Sequence, residues 1–239
     1  MLSPAIDMEQ VRARVARTIE KGVQIDLSTT TCKRFLRRHA SRKTTVAVLY
    51  VDIDGSTQMT LSLPSDTLAT MLQLFSQEMS LAVASYGGYV LKYVGDAVIA
   101  LFPAEHDRRQ ACTSALECGR TMVEIVSRCI NPVLCAKGMP ELKVKVSIDL
   151  GEVLVVLYGK GLENSHIDII GPSISMAAKM LSLVQSGRII MGQTARDSLA
   201  QSISGGLVQI DADESVWSYV DASKSRYRLY TTQEPIKEL

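Results

Sequence analysis

The chain has 239 residues, 46% hydrophobic and 21% charged, with a formal net charge of +1. That length and composition suit a globular protein with a well-buried core. The near-zero charge gives no bulk attraction to nucleic acid or an anionic membrane, and no apolar run approaches the roughly 20 residues of a spanning helix.

The N-terminus, MLSPAIDMEQVRARV, lacks the apolar stretch of a secretory signal. Residues 5–24 read as a helix, with Val11, Val15, Ile19 and Val23 four apart. A basic stretch follows, CKRFLRRHASRK, readable as a solvated helix face or as an anion- or partner-binding arm. Residues 1–44 are expected to be a helical extension, and 45–235 the main domain. The five cysteines, Cys32, Cys112, Cys118, Cys129 and Cys135, are odd in number and form no CxxC pair. They read as reduced, mostly buried thiols of a cytoplasmic protein.

The core strand is expected over 45–53, where VAVLYVDI (46–53) is apolar on both faces, the mark of burial. A helix is expected from Ser65, a candidate N-cap, to Tyr86, stopped by Gly87-Gly88. YVLKYV (89–94) and AVIALF (97–102) flank Gly95-Asp96 as a β-hairpin. A helix over 107–129 ends at Asn131-Pro132. KVKVSIDL is a strand, and EVLVVLYG a further one after Gly151. Helices near 173–185 and 193–202, a strand RIIM and a closing strand RYRLYT complete the chain. The order strand, helix, hairpin, helix, strand is the βαββαβ ferredoxin-like arrangement, an α/β fold with an antiparallel sheet.

Asp52 ends the first core strand and Asp96 sits in the hairpin turn. In a βαββαβ sheet those elements are neighbours, so the two carboxylates can approach. Carboxylates that close resist joint ionisation. A divalent cation relieves them, and hard oxygen donors with open positions suit Mg²⁺ or Mn²⁺ shared with phosphates. Gly55, Ser56 and Thr57, after Asp54, would expose backbone N–H groups to a polyphosphate. The arrangement suits two-metal phosphoryl transfer. The same residues also read as a strand-end cap and a turn former.

Three blocks, YVDIDGST, KYVGDAVIALF and HIDIIGPSISMAAKM, fall in the order of the signature blocks of class III nucleotidyl cyclases. Residues 45–231 resemble the adenylate and guanylate cyclase catalytic domains. The resemblance implies a cyclase-type ferredoxin-like fold and a head-to-tail homodimer with two composite sites. It implies conversion of a nucleoside triphosphate to a 3′,5′-cyclic nucleotide and pyrophosphate. Asp52 and Asp96 would bind two Mg²⁺ or Mn²⁺ ions, helped by the Ile53 carbonyl. Lys92 and Asp168 match the pair that reads the base, and Lys92 would face the nucleotide held by the partner's acids.

Where the family's last block carries Asn and, four residues later, Arg, this chain has Ser175 and Lys179. Lys179 keeps a cation as a point charge, while Ser175 is too short to replace an amide. The Lys92–Asp168 code fits adenine, cytosine or uracil. Tyr50, on the Asp52 face of its strand, is bulky where many relatives carry phenylalanine, and would narrow the base pocket. The nearly bare catalytic domain resembles the stand-alone pyrimidine cyclases of anti-phage (Pycsar) systems, whose cyclic CMP or cyclic UMP is read by a separate effector. Pyrimidine specificity is therefore the leading reading. An adenylate cyclase and a degenerate nucleotide-binding regulatory domain are the alternatives. No nucleic-acid or membrane partner is expected. A diguanylate cyclase is disfavoured by the turn VGDAV, and an EF-hand by the missing third loop acid and closing glutamate.

Overall fold

The computed structural model describes residues 6–23, 25, 27–161 and 165–233. Residues 5 and 24 of the expected first helix, and 234–235 of the expected main domain, lie outside the described residues. Helix α1 (Met8–Lys21) begins where the Asp7 carboxylate accepts from the N–H groups of Glu9 and Gln10. Helix α2 (Thr30–Arg38) carries the basic stretch, with Cys32 and Leu36 buried on its inner side. Strand β1 (Lys43–Ile53) starts two residues before the expected 45.

A short helix α3 (Ser56–Ser62) follows, which the polar STQMTLS segment did not announce. Helix α4 (Ser65–Ser85) has Pro64, not Ser65, at its N-cap position. Gly87, at φ 74, turns the chain out of it. Gly88 is then required by contact, since a Cβ there would lie 2.8 Å from the Phe102 ring. Strands β2 (Tyr89–Val94) and β3 (Ala97–Pro103) form the expected hairpin. Helix α5 (Arg108–Ile125) does not stop at Asn131-Pro132 as expected. It passes through a π turn, Val126–Ile130, into helix α6 (Asn131–Ala136). Proline is tolerated because it falls in the first turn of the new segment, where its missing N–H costs little. The Asn131 side chain also exchanges two hydrogen bonds with the Leu142 backbone.

The two strands expected on either side of Gly151 are one, β4 (Val144–Tyr158). Strand β5 (His166–Ile170) folds back on its far half. Helix α7 (Pro172–Met180) stops short of the expected 185, continuing only as a 3₁₀ turn, Leu181–Leu183. The last elements are β6 (Ile189–Gly192), α8 (Gln193–Asp197), α9 (Gln201–Ser204), β7 (Leu207–Ile210) and β8 (Leu229–Thr232). The expected helix over 193–202 is thus two short ones, and RYRLYT is strand only from Leu229.

The sheet order is β2-β3-β1-β4-β6-β8-β7, with β5 on β4. Its first four strands are the βαββαβ core, paired antiparallel throughout, while β4 and β6 pair in parallel. Alternation along β1 feeds two cores. Ala47, Leu49, Val51 and Ile53 pack with residues of α4 and α5. Val46, Val48 and Tyr50 face a second cluster that includes Cys32, Leu36, Ala177, Met180 and Trp217. This second face carries the site.

The C-terminal segment is bolted to that face through polar groups. Trp217 Nε1 donates to the Tyr227 carbonyl at 2.9 Å, and the Tyr227 hydroxyl donates to Asp149 Oδ1 at 2.7 Å. Asp149 is 1% exposed, and burial pushes its carboxyl from 3.8 up to about 7. Between those values the folded chain holds a proton that the unfolded chain has lost, so stability falls as pH rises through the window. Asp149→Asn keeps the accepting oxygen and cannot ionise. Its melting temperature is expected to exceed the parent's by roughly 4 °C or more in mild alkali, the gap closing towards acid. A gap that stays constant with pH would remove Asp149 as the titrating group.

Candidate functional site

The β1–β3 register ends at Val51↔Val98, and the next residues of the hairpin are its turn, Gly95-Asp96. That register lays Asp96 against the end of β1, where its Oδ2 accepts from the Ile53 N–H at 3.2 Å. Asp52 and Asp96 are therefore brought together as expected. Burial, then the charge and hydrogen bonding of Asp96, push the Asp52 carboxyl up to about 6. Two carboxylates whose joint ionisation is resisted, half out of water, are a strong attractor for a hard cation. Among the described residues no cluster of three or more His, Cys, Asp and Glu could hold an ion. The remaining positions fall to carbonyl, water or phosphate oxygens, as Mg²⁺ tolerates.

Lys145 sits directly across from Asp52 in the β1–β4 register, and its Nζ lies 2.8 Å from Asp54 Oδ1. The Ser186 hydroxyl also donates to Asp54, and with Lys145 it holds that carboxyl below its usual range. Asp54 is thus occupied by its own chain. Gly55 then takes φ 79, a left-handed conformation suited to glycine, and opens α3 with Ser56 and Thr57 in its first turn. No side chain caps that turn.

Lys92 reaches the second face through a β-bulge. Val90 pairs with Ala100 and Lys92 with Ile99, so Leu91 is the extra residue. In regular pairing Leu91 would sit opposite Ile99 and Lys92 opposite Val98, which faces the α4–α5 core. With the bulge, Lys92, Ile99 and Tyr50 stand in one row across β2, β3 and β1. Asp168, opposite Val156 on β5, completes the group, with its Oδ2 2.5 Å from Lys92 Nζ. Tyr50, 9% exposed, has its phenol pushed up to about 12 by burial and by the charge of Asp168. The three expected base-reading residues are therefore one cluster within one chain.

Ser175 and Lys179 are one turn apart on the exposed side of α7. Among the described residues neither makes a hydrogen bond or ion pair with Asp52 or Asp96, and Lys179 Nζ lies 5.6 Å from the centre of the Tyr219 ring. Lys224 sits at φ 63 in a turn held by Asp221. Sequence reasoning missed Lys145 and Ser186. Lys145 was legible only as the polar phase of KVKVSIDL, since its partner depends on the β1–β4 register.

Residues 39–226 match the family model described as the adenylate and guanylate cyclase catalytic domain. The chain belongs to that family and carries a class III nucleotide cyclase catalytic domain. It is 24% identical over 199 residues to a cytidylate cyclase of Escherichia coli, covering 77% of this chain and 43% of that protein. It therefore spans less than half the length of that curated relative, and 18% of the length of another, from Rhizobium meliloti. Its fold matches the adenylyl cyclase CyaB from P. aeruginosa with a TM-score of 0.67, at 21% identity over 83% of this chain and 98% of that one. The guanylate cyclase domain of RhGC from Catenaria anguillulae, solved with GTP, matches with a TM-score of 0.64, at 16% identity over 81% and 99%. Among the described residues no helix is long and apolar enough to cross a membrane, and all five cysteines are free, four of them buried.

The site makes a prediction about metal alone. Asp52→Asn is expected to weaken Mn²⁺ binding on the order of tenfold or more, since even outer-shell losses reach that size. Without metal its melting temperature should be no lower than the parent's, because one of two repelling charges is gone. Unchanged Mn²⁺ titration by electron paramagnetic resonance would remove Asp52 as a ligand.

Proposed function

We propose that this chain converts a pyrimidine nucleoside triphosphate to its 3′,5′-cyclic nucleotide and pyrophosphate, at two sites shared between the subunits of a homodimer. The observation that carries the reading is the pairing, on one chain, of the Asp52–Asp96 carboxylates with the separate Lys92–Asp168–Tyr50 cluster. One set suits phosphates and cations, and the other suits the edge of a base.

In the reaction the ribose 3′-oxygen forms a bond to the α-phosphorus, the bond to the β-phosphate bridging oxygen breaks, and the 3′ proton is released. Asp52 and Asp96, with the Ile53 carbonyl, would hold two divalent ions. When bound, those ions lower the pKa of the 3′-hydroxyl and neutralise the leaving pyrophosphate. Lys145 adds positive charge beside these acids, and the first turn after Gly55 offers Ser56 and Thr57 N–H groups to the phosphates. Lys92 donates to the base and Asp168 accepts from it. Tyr50, kept neutral by its raised pKa, fills part of the space a purine needs and retains a hydroxyl for a smaller base. The outward-facing Ser175 and Lys179 fit a dimer in which they serve the neighbour's site. There Lys179 would stabilise charge on the transferring phosphate as a point charge.

Likeness to the E. coli cytidylate cyclase supports the pyrimidine reading. Adenine is the second reading, because a lysine–carboxylate pair satisfies its edge equally well. The product would act in the cytoplasm as a messenger read by a separate effector, in the manner of anti-phage signalling. Residues 1–44 would be an extension to the catalytic domain at 45–235.

Purified protein given Mn²⁺ with ATP, GTP, CTP or UTP is expected to yield one cyclic pyrimidine nucleotide, identified by mass. Cyclic AMP alone would favour the second reading. Nucleotide binding with no cyclic product would favour a regulatory domain. For the shared sites, Asp96→Ala and Lys92→Ala proteins should each be inactive. Mixing and re-equilibrating them should restore about a quarter of the parental rate, since half the dimers are mixed and each has one intact site. No recovery in verified mixed dimers would sink the composite site.

A further inference from the structure

Helix α2 lies against β2 and β5, the two strands that carry Lys92 and Asp168. Its inner side is small and apolar. Cys32, 1% exposed, and Leu36, fully buried, share one cluster with Tyr50, Leu91, Ile167 and Ile169. One turn on from Cys32, the Phe35 ring stacks at 5.4 Å on that of Tyr89, three residues before Lys92. The short connection after the helix is tied to β4 by backbone bonds. The Ser41 N–H donates to the Val155 carbonyl and the Val155 N–H to the Arg42 carbonyl, each at 3.0 Å. Val155 adjoins Val156, which faces Asp168 across the β4–β5 ladder. The helix therefore has little freedom to move relative to the strand pair that presents Asp168.

The opposite side of the cluster is open. The Lys92 and Asp168 side chains are 36% and 18% exposed, so a flat ring can reach them from solvent while α2 closes the rear. Burial, and after it the charge of Asp168, pushes the Cys32 thiol up to about 12. It stays a neutral, space-filling group rather than a nucleophile.

We infer that α2 is the rear wall of the base pocket and that Cys32 is a specificity-determining residue whose size sets the depth behind the Lys92–Asp168 pair. The inference rests on the proposed nucleotide site and adds the residue that chooses between one ring and two. A segment preceding the first core strand thus becomes part of substrate selection. Cys32 touches none of the reacting atoms. It acts through the space it leaves and through the placement of Tyr50 and Leu91.

The test is equilibrium binding of the 3′-deoxy analogues of ATP, GTP, CTP and UTP, which cannot cyclise, to the full chain with Mn²⁺. Inorganic tripolyphosphate serves as the probe without a base. Cys32→Ala is expected to shift the purine-to-pyrimidine affinity ratio about tenfold towards purines, the scale of one methylene in a snug pocket. Cys32→Leu should shift it the other way, and Cys32→Ser, close in volume, should stay near the parent. Tripolyphosphate affinity should not change in any of them. If Cys32→Leu fails to fold by circular dichroism, the Ala and Ser variants decide the matter alone. A common loss for all four nucleotides, or ratios that move less than about twofold, would make α2 a purely structural brace and overturn the inference. Absence of base-dependent binding in the parent would overturn it too. A parent that binds with the expected ratios yet forms no cyclic product would overturn the proposed turnover while leaving the wall in place.

Discussion

The structure depends on one uncomfortable contact, the approach of Asp52 and Asp96 at the end of a buried strand. Neither acid can be withdrawn. Asp52 is fixed by the β1–β4 ladder opposite Lys145, and Asp96 by a tight turn and by the Ile53 N–H. Burial and mutual repulsion raise the cost of charging Asp52, and the sheet around it absorbs that cost because β1 is hydrogen-bonded on both sides. A site of this kind gives up stability in the empty state and gains affinity for a hard cation.

The second constraint is a single extra residue. Leu91 breaks the register of β2 against β3, and that break turns Lys92 onto the face of Tyr50 and Asp168. The consequence is a division of labour along the chain. The acids at the end of β1 form one group of side chains and the Lys92–Asp168–Tyr50 cluster forms another. Lys92 and Asp96 are four positions apart on one hairpin, Lys92 on strand β2 and Asp96 in its turn beside Ile53.

The family and core order were readable because they rest on local signals. Alternation over VAVLYVDI, the turn Gly95-Asp96 and the three signature blocks need no tertiary information. Reading was poorest where an element is defined by what packs on it. Helix α3 has no buried residue and no apolar period. Strand β4 runs through Gly151 because β1 pairs with it without a break from Val144 to Leu154, and no local rule anticipates that. Pro132 looked like a stop because proline usually is one, but the π turn places it where its missing N–H does no harm.

Sequence alone determined the class of fold, the approach of Asp52 to Asp96 and the residue types proposed to read the base, because strand alternation and turn chemistry act over a few residues. Tertiary structure alone decided that Lys92, Asp168 and Tyr50 form one cluster, that Lys145 stands across from Asp52, and that helix α2 packs on the strands carrying Lys92 and Asp168. Those placements depend on sheet register and on pairing between segments up to 132 residues apart, such as Asp54 with Ser186. A one-residue slip in register reverses which face a side chain occupies, and nothing in the local sequence records the slip.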